Sequence, residues 1–147
     1  MSGIRVAIAV VCAMAAGVVP ALAADYQVLM LNKDSQGRIM QFEPAFLRIE
    51  PGDTVTFIPQ DKGHNSETVL DMLPDGADMW KGRTNEAIEV TLTVEGLYAY
   101  KCMPHFGSGM IGLIQVGDST ANLADLLAKR LPPRAQARLA ELFALTK

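Results

Sequence analysis

The 147-residue sequence is poor in cysteine, histidine and aromatic residues, with two cysteines, two histidines and 6% Phe, Trp and Tyr. Two cysteines cannot build the disulfide framework of a small secreted domain. Neither sign of charge dominates, because 13 basic residues face 16 acidic ones, which gives no electrostatic case for binding nucleic acid or an anionic membrane. Half of the residues are hydrophobic, which excludes a disordered chain and favours one globular domain.

The one long apolar run covers residues 6–19 and follows a short start with a single basic residue, Arg5. Pro20 ends the run, and Ala21 and Ala23 place small residues three and one positions before a cleavage point. This order is typical of a secretory signal, and 14 apolar residues are too few for a membrane anchor. We therefore predict a signal peptide over residues 1–23 and export of residues 24–147.

Export would leave one thiol in the mature chain, because Cys12 leaves with the signal and Cys102 stays. A single cysteine in an oxidising compartment needs protection. Burial as an inert side chain would provide it, and so would binding to a metal as a thiolate. The cysteine count alone leaves both interpretations open.

Residues 25–116 show the pattern of an all-β domain. Short β-branched and apolar segments are separated by Gly, Pro and Asp, and residues 87–94 alternate apolar with polar side chains. Regularly spaced short strands favour a β-sandwich or barrel, whereas residues 71–81 lack alternation and predict a loop. Six strands are predicted, at residues 26–31, 46–49, 54–58, 87–94, 97–102 and 111–116.

The pattern changes to a helical spacing after Gly117. Two helices are predicted within residues 118–147, separated by Pro132 and Pro133 and preceded by the capping candidates Ser119 and Thr120. Such an amphipathic pair could contact a membrane surface or a partner, but we favour packing of its apolar face against the β-domain. That face is predicted to contain Leu123, Leu126, Leu127, Leu139, Leu142 and Phe143.

Two histidines, one cysteine and one methionine fall at the ends of predicted strands. Cys102, His105 and Met110 form a C-x₂-H-x₄-M pattern between two strands, and His64 follows another strand. Two imidazoles, one thiolate and a weak thioether are the donors of a blue copper electron-transfer site. The sulfur donors suit Cu(I) and imidazole serves both oxidation states, so an electron would move with little rearrangement.

Each of these side chains also has an ordinary interpretation. His64 alone is more often a surface or core histidine, and Met110 alone is more often core filling. Cys102 and His105 could bind zinc or act as a nucleophile and its base. A structural zinc site usually has more thiolates or histidines and no methionine. The four residues together, in an exported β-protein with no spare cysteine, favour copper.

The segments around these residues resemble the cupredoxins, and among them the pseudoazurin family of small periplasmic blue copper proteins. The resemblance implies an eight-stranded Greek-key β-sandwich over residues 24–117 and a C-terminal two-helix extension over residues 118–147. It implies one copper ion, cycling between Cu(II) and Cu(I). The implied ligands are His64, Cys102, His105 and Met110, and the similar segments are residues 30–33, 42–45, 51–59, 61–65 and 101–105.

The function implied by the resemblance is that of a periplasmic electron carrier, not an enzyme. It would pass single electrons between redox proteins, namely a copper nitrite reductase of denitrification and a c-type cytochrome. A monomer with transient docking and no membrane contact is expected. A copper chaperone would need an exchangeable site rich in Met or paired thiols, and an enzyme would need a substrate pocket; no motif of either kind stands out in the sequence.

Residues beside the ligands have expected roles as well. By the resemblance, Asn65 ties the two ligand loops together. Gly107 and Gly109 are expected to allow the tight loop before Met110, because glycine adopts conformations that other residues avoid. Pro104 lacks an N–H and cannot donate to the Cys102 sulfur. Met103, Phe106, Ser108 and Trp80 depart from the family pattern without touching the ligands.

By the same resemblance, an apolar patch should surround the edge of His105 through which electrons leave, with Met40, Pro104 and Phe106 as its candidates. Four lysines are either a ring that steers an acidic partner or merely solvated side chains. These are Lys33, Lys62, Lys81 and Lys101.

Overall fold

The computed structural model describes residues 22–147. The predicted signal peptide therefore lies outside the described residues, apart from Leu22 and Ala23. The strands are β1 (Asp25–Lys33), β2 (Ile39–Glu43), β3 (Phe46–Ile49), β4 (Asp53–Pro59), β5 (Glu67–Thr68), β6 (Ile88–Leu92), β7 (Gly96–Lys101) and β8 (Ile111–Val116). Two helices follow, α1 (Leu123–Leu127) and α2 (Pro133–Phe143), and a 3₁₀ segment, Met103–Ser108, joins β7 to β8.

The strands form two four-stranded sheets with the orders β2-β1-β4-β6 and β3-β8-β7-β5. The pairs β1–β4 and β3–β8 are parallel, and the other pairs are antiparallel. Parallel neighbours far apart in the chain require long connections between the sheets. This arrangement confirms the predicted eight-stranded β-sandwich with two C-terminal helices.

The core between the sheets is aromatic at the end where β7 finishes. Tyr100 is fully buried on the inner face of β7, and its ring packs edge-on against Phe42 at 4.7 Å and Phe57 at 4.9 Å between centroids. Such edge-to-face pairs add about 0.5–1.5 kcal/mol to burial. The same cluster includes Cys102 and Met110, both fully buried, so it lies directly beneath the loops at this end of the sandwich.

The outer face of the second sheet is covered by the C-terminal helices. Leu97 and Ala99 of β7 point away from the two tyrosines of that strand and pack with Leu139 and Leu142 of α2. Leu126 of α1 is buried with them. The prediction that Leu127 shares the apolar face is wrong, because the residue is 55% exposed. Of the three leucines in the five-residue helix α1, only Leu126 is fully buried.

The six predicted strands are present, and β3 and β8 have the predicted bounds. Strand β6 confirms the alternation, since Ile88, Val90 and Leu92 are more buried than the residues between them. Strands β2 and β5 were not predicted. Strand β2 is interrupted by a positive φ of 51° at Met40, and β5 has two residues. Within residues 22–147 no helix has the length and apolarity needed to cross a bilayer.

Candidate metal centre

The β7–β8 hairpin brings Cys102 and Met110 opposite each other. Lys101 and Ile111 are the last paired residues of the two strands, and Cys102 and Met110 come next. The N–H of Cys102 donates to the carbonyl of Met110 at 3.1 Å, and the N–H of Met110 donates to the carbonyl of His105 at 3.1 Å. The regular ladder thus continues into the loop and holds its ends in register.

The loop from Cys102 to Met110 is compact because it turns as a 3₁₀ segment and closes at a glycine. Gly109 has a φ of +94°, a conformation that L residues rarely adopt. Its Cα faces the backbone of Arg134 in α2, where a Cβ would lie 3.2 Å from the Arg134 carbonyl oxygen. The expected role of Gly109 is confirmed. Gly107 has no positive φ and open space around it, so the loop does not require a glycine there.

The side chains of His64, Cys102 and His105 converge from two loops. Cys102 Sγ lies 3.6 Å from His64 Nδ1 and 3.6 Å from His105 Nδ1, and the two nitrogens are 3.1 Å apart. An ion held about 2.0–2.1 Å from imidazole nitrogen and about 2.3 Å from thiolate sulfur, as zinc is, needs separations of this size. The three donors therefore fit a single first-row metal ion.

The orientation of the buried His64 is set by Asn32. His64 Nε2 lies 3.0 Å from Asn32 Oδ1, and because that oxygen only accepts, Nε2 carries the proton. The lone pair of Nδ1 is left for a metal, as is usual when an outer partner holds a ligating histidine. No role was predicted for Asn32, which is 32 positions away from His64 and is brought near it because β1 lies parallel to β4.

In the metal-free protein, burial shifts the pKa values of His64 and Cys102. Burial lowers the pKa of His64, and the neighbouring His105 lowers it further. Burial raises the pKa of the Cys102 thiol; N–H groups of Asn65 and His105 oppose that rise, and the Glu67 carboxylate adds to it. At neutral pH the metal-free centre thus holds a neutral imidazole at His64 and a thiol at Cys102. A metal ion has to displace the thiol proton.

Asn65 connects the two ligand loops, as expected. Its Oδ1 accepts the N–H of Met103 at 2.8 Å, across 38 residues of sequence. Its Nδ2 donates to Glu67 Oε2 and to the carbonyl of Gly82, both at 3.1 Å. One buried amide therefore fixes the loop of His64 against the loop of Cys102 and His105.

The surface beside His105 differs in part from the expected patch. His105 is half-buried, Pro104 is exposed, and Met103 is 57% exposed, which adds an apolar side chain that was not predicted. Phe106 is half-buried, like His105, and it packs on the cluster beneath the helices. Met40 is half-buried and packs on the inner core.

The four predicted lysines do not share one environment. Lys33, Lys62 and Lys81 are exposed. Lys101 is different, because its side chain is 16% exposed and its Nζ lies 3.5 Å from Glu67 Oε1. The same Nζ lies 4.9 Å from the centre of the Phe106 ring. Lys101 is thus an internal ion-pair partner and is not part of a solvated ring.

Comparison with known proteins gives concordant results. The copper-binding plastocyanin/azurin family matches residues 28–117. The chain is 47% identical over 131 residues to pseudoazurin of Paracoccus pantotrophus, covering 89% of this chain and 90% of that protein. It is 49% identical over 137 residues to a putative pseudoazurin of Rhizobium leguminosarum bv. viciae, covering 93% and 88%. The refined structure of pseudoazurin from Methylobacterium extorquens AM1 superposes with a TM-score of 0.79 at 42% identity, covering 82% of this chain and 98% of that one.

A β-sandwich that gathers imidazole and thiolate donors at one end is the architecture of the cupredoxins. This chain belongs to the copper-binding plastocyanin/azurin family, and within that family to the pseudoazurins. Its cofactor is therefore copper, and it acts as an electron carrier with redox partners and not as an enzyme.

Proposed function

We propose that this electron carrier works in the periplasm as a type 1 blue copper protein whose ion is held by His64, Cys102, His105 and Met110. The separations of 3.1–3.6 Å between two Nδ1 atoms and one Sγ carry the proposal. Met110 supports it as the fourth donor, because it is fully buried and its carbonyl accepts the N–H of Cys102.

The bound ion would supply one-electron exchange, and the protein supplies rigidity. Asn32 holds His64, Asn65 holds Met103, and the β7–β8 ladder holds Cys102 and Met110. Because these contacts keep the donors in place, little rearrangement accompanies a change of oxidation state. Burial of Cys102 and His64 excludes water from the donors, and the half-buried His105 leaves one edge open toward a partner.

The docking surface would consist of the open edge of His105 with Met103 and Pro104. A small apolar patch excludes water during a short encounter without creating a long-lived complex. Lys33, Lys62 and Lys81 are exposed cations that would steer an acidic partner. We assign a copper nitrite reductase of denitrification and a c-type cytochrome as the redox partners, with the carrier a monomer that docks transiently after export.

The ligand set is tested with the variants Cys102→Ser and Met110→Leu. Cys102→Ser should abolish the intense thiolate-to-copper absorption and electron donation to nitrite reductase. Met110→Leu should keep the blue colour and change the reduction potential, because the axial ligand tunes it. The control Met79→Leu changes an exposed methionine in the loop after β5 and should match the wild type. A blue spectrum in Cys102→Ser would overturn the ligand assignment.

The partner assignment is tested by stopped-flow oxidation of the reduced protein with a copper nitrite reductase. Steering by lysines predicts a second-order rate constant that falls with ionic strength and is lowered further in Lys62→Gln. The control is Lys147→Gln, at the C-terminus beside Gln115 of β8. A rate independent of salt and equal in both variants would contradict the basic docking surface.

A further inference from the structure

The carboxylate of Glu67 lies beside the copper-binding loop and is not one of the proposed metal ligands. Glu67 is 9% exposed in the two-residue strand β5. Its two oxygens face different partners, because Oε2 accepts from Asn65 Nδ2 at 3.1 Å and Oε1 lies 3.5 Å from Lys101 Nζ. A charge in such a position is costly unless both partners are kept.

The first contact of Glu67 fixes which way the amide of Asn65 points. Nδ2 donates to the Glu67 carboxylate and to the Gly82 carbonyl, so Oδ1 is left to accept the N–H of Met103. An amide rotated by half a turn would aim Nδ2 at that N–H and an oxygen at the carboxylate. The carboxylate excludes this alternative, since an ionised carboxylate accepts and cannot donate.

The second contact of Glu67 holds the other flank of the loop. The Lys101 ammonium is 3.5 Å from the carboxylate and 4.9 Å from the centre of the Phe106 ring, a cation–π distance. Lys101 precedes Cys102, and Phe106 follows His105. Glu67 therefore reaches both sides of the copper-binding loop, through Asn65 to Met103 and through Lys101 to Phe106.

We propose that Glu67 is a positioning residue of the copper centre: one buried carboxylate orients the loop through Asn65 and Lys101 and forms with Lys101 a charge pair that tunes the reduction potential. The proposed effect on the reduction potential rests on the proposed ligand set, because the charge pair acts on a metal held by the loop. The proposed orientation of the loop does not, since the contacts of Glu67 with Asn65 and Lys101 exist in the protein without a metal.

The charges of the pair have opposite expected effects on the potential. A nearby negative charge stabilises Cu(II) relative to Cu(I), and a positive charge does the reverse. Glu67→Gln keeps the size of the side chain and removes the negative charge, so the potential should rise. Lys101→Met removes the positive charge, so the potential should fall. The double variant should return close to the wild-type value.

The orienting role is measured on the metal-free protein by amide hydrogen exchange of Met103. Glu67→Ala removes the acceptor of Asn65 Nδ2, so the Met103 amide should exchange about tenfold faster, which corresponds to one hydrogen bond of ordinary strength. Glu67→Gln keeps an acceptor oxygen and should preserve most of the protection. Equal exchange in wild type and Glu67→Ala would overturn this role.

Glu95→Gln is the matched control for charge, because Glu95 is an exposed residue of the turn before β7, at the opposite end of that strand from Cys102. It should leave both the potential and the Met103 exchange unchanged. Shifts of the same sign in Glu67→Gln and Lys101→Met, or no shift in either, would refute the charge pair. A wild-type protein without a blue band would refute the ligand set instead, so the two failures are distinguishable.

Discussion

Removal of the Asn65 amide is the most informative single change outside the donors. Asn65→Ala deletes three hydrogen bonds, to Met103 N–H at 2.8 Å and to Glu67 and Gly82 at 3.1 Å. The two neutral bonds contribute about 0.5–1.5 kcal/mol each and the bond to the carboxylate about 1.5–3 kcal/mol. Because water can reach Met103, we expect the free energy of unfolding to fall by about 2–4 kcal/mol.

Asn65→Ala should lower both the stability of the whole domain and the local stability of the metal centre. Urea unfolding of the metal-free protein measures the stability of the domain, and the rate at which a chelator removes copper measures that of the metal centre. Copper release requires the two ligand loops to separate, and Asn65 is the side chain that joins them. Asn65→Ala should therefore release copper at least about tenfold faster than the wild type, which corresponds to about 1.4 kcal/mol of lost local stability.

Asn122→Ala provides the matched comparison. Asn122 Oδ1 accepts the N–H of Leu97 at 3.0 Å and its Nδ2 donates to the Leu97 carbonyl at 2.9 Å, so it joins α1 to the start of β7, away from the loops. This variant should lose about 1–3 kcal/mol of stability and release copper at the wild-type rate. If Asn65→Ala released copper no faster than Asn122→Ala, the inference that Asn65 locks the ligand loops would be refuted.

Two further predictions concern the packing of the C-terminal extension and the protonation of the metal-free protein. Leu139→Ala, at a fully buried position, should lower the free energy of unfolding by about 2–5 kcal/mol. The control Leu145→Ala, at a position 52% exposed, should stay within about 0.5 kcal/mol of wild type. Equal losses in the two variants would contradict the packing of α2 on the sheet. Because the folded pKa of His64 lies below its ordinary value of 6.5, the unfolded chain binds the proton more readily, so the unfolding free energy should fall as pH decreases from 6.5 toward the lower folded pKa. In urea titrations at several pH values, the unfolding free energy of His64→Asn should fall less with decreasing pH than that of the wild type. An identical pH dependence in the two proteins would contradict the role of His64.

The sequence predicted the β-domain well because most of its strands differ sharply from their surroundings. Strand β6 alternates because one face meets solvent. Strand β8 has no such alternation and is apolar except for Gln115, because both of its faces are buried. Strand β5 escaped prediction because it contains the charged Glu67, whose burial depends on Asn65 and Lys101. Such compensation comes from tertiary contacts and leaves no local pattern.

The same limit explains the errors around the metal centre. The side chains of His64, Cys102 and His105 converge, because each lies in a loop that follows a strand and the sheet topology brings those strand ends together. Phe106 and Lys101 were both predicted to lie on the surface. Phe106 packs on a cluster that includes residues of α2, which is distant in sequence. Lys101 pairs with Glu67, which lies in a strand that was not predicted. Asn32 was missed because its contact with His64 depends on the parallel pairing of β1 with β4.

The proposed binding of copper by the Cys102 thiolate and two histidines has a direct spectroscopic signature. It is measured by adding one equivalent of Cu(II) to residues 24–147 and recording the visible absorption and paramagnetic resonance spectra. Thiolate ligation should give an intense thiolate-to-copper band together with a narrow copper hyperfine splitting. A pale solution with an ordinary cupric spectrum would contradict it, because Cys102 would then not be a ligand.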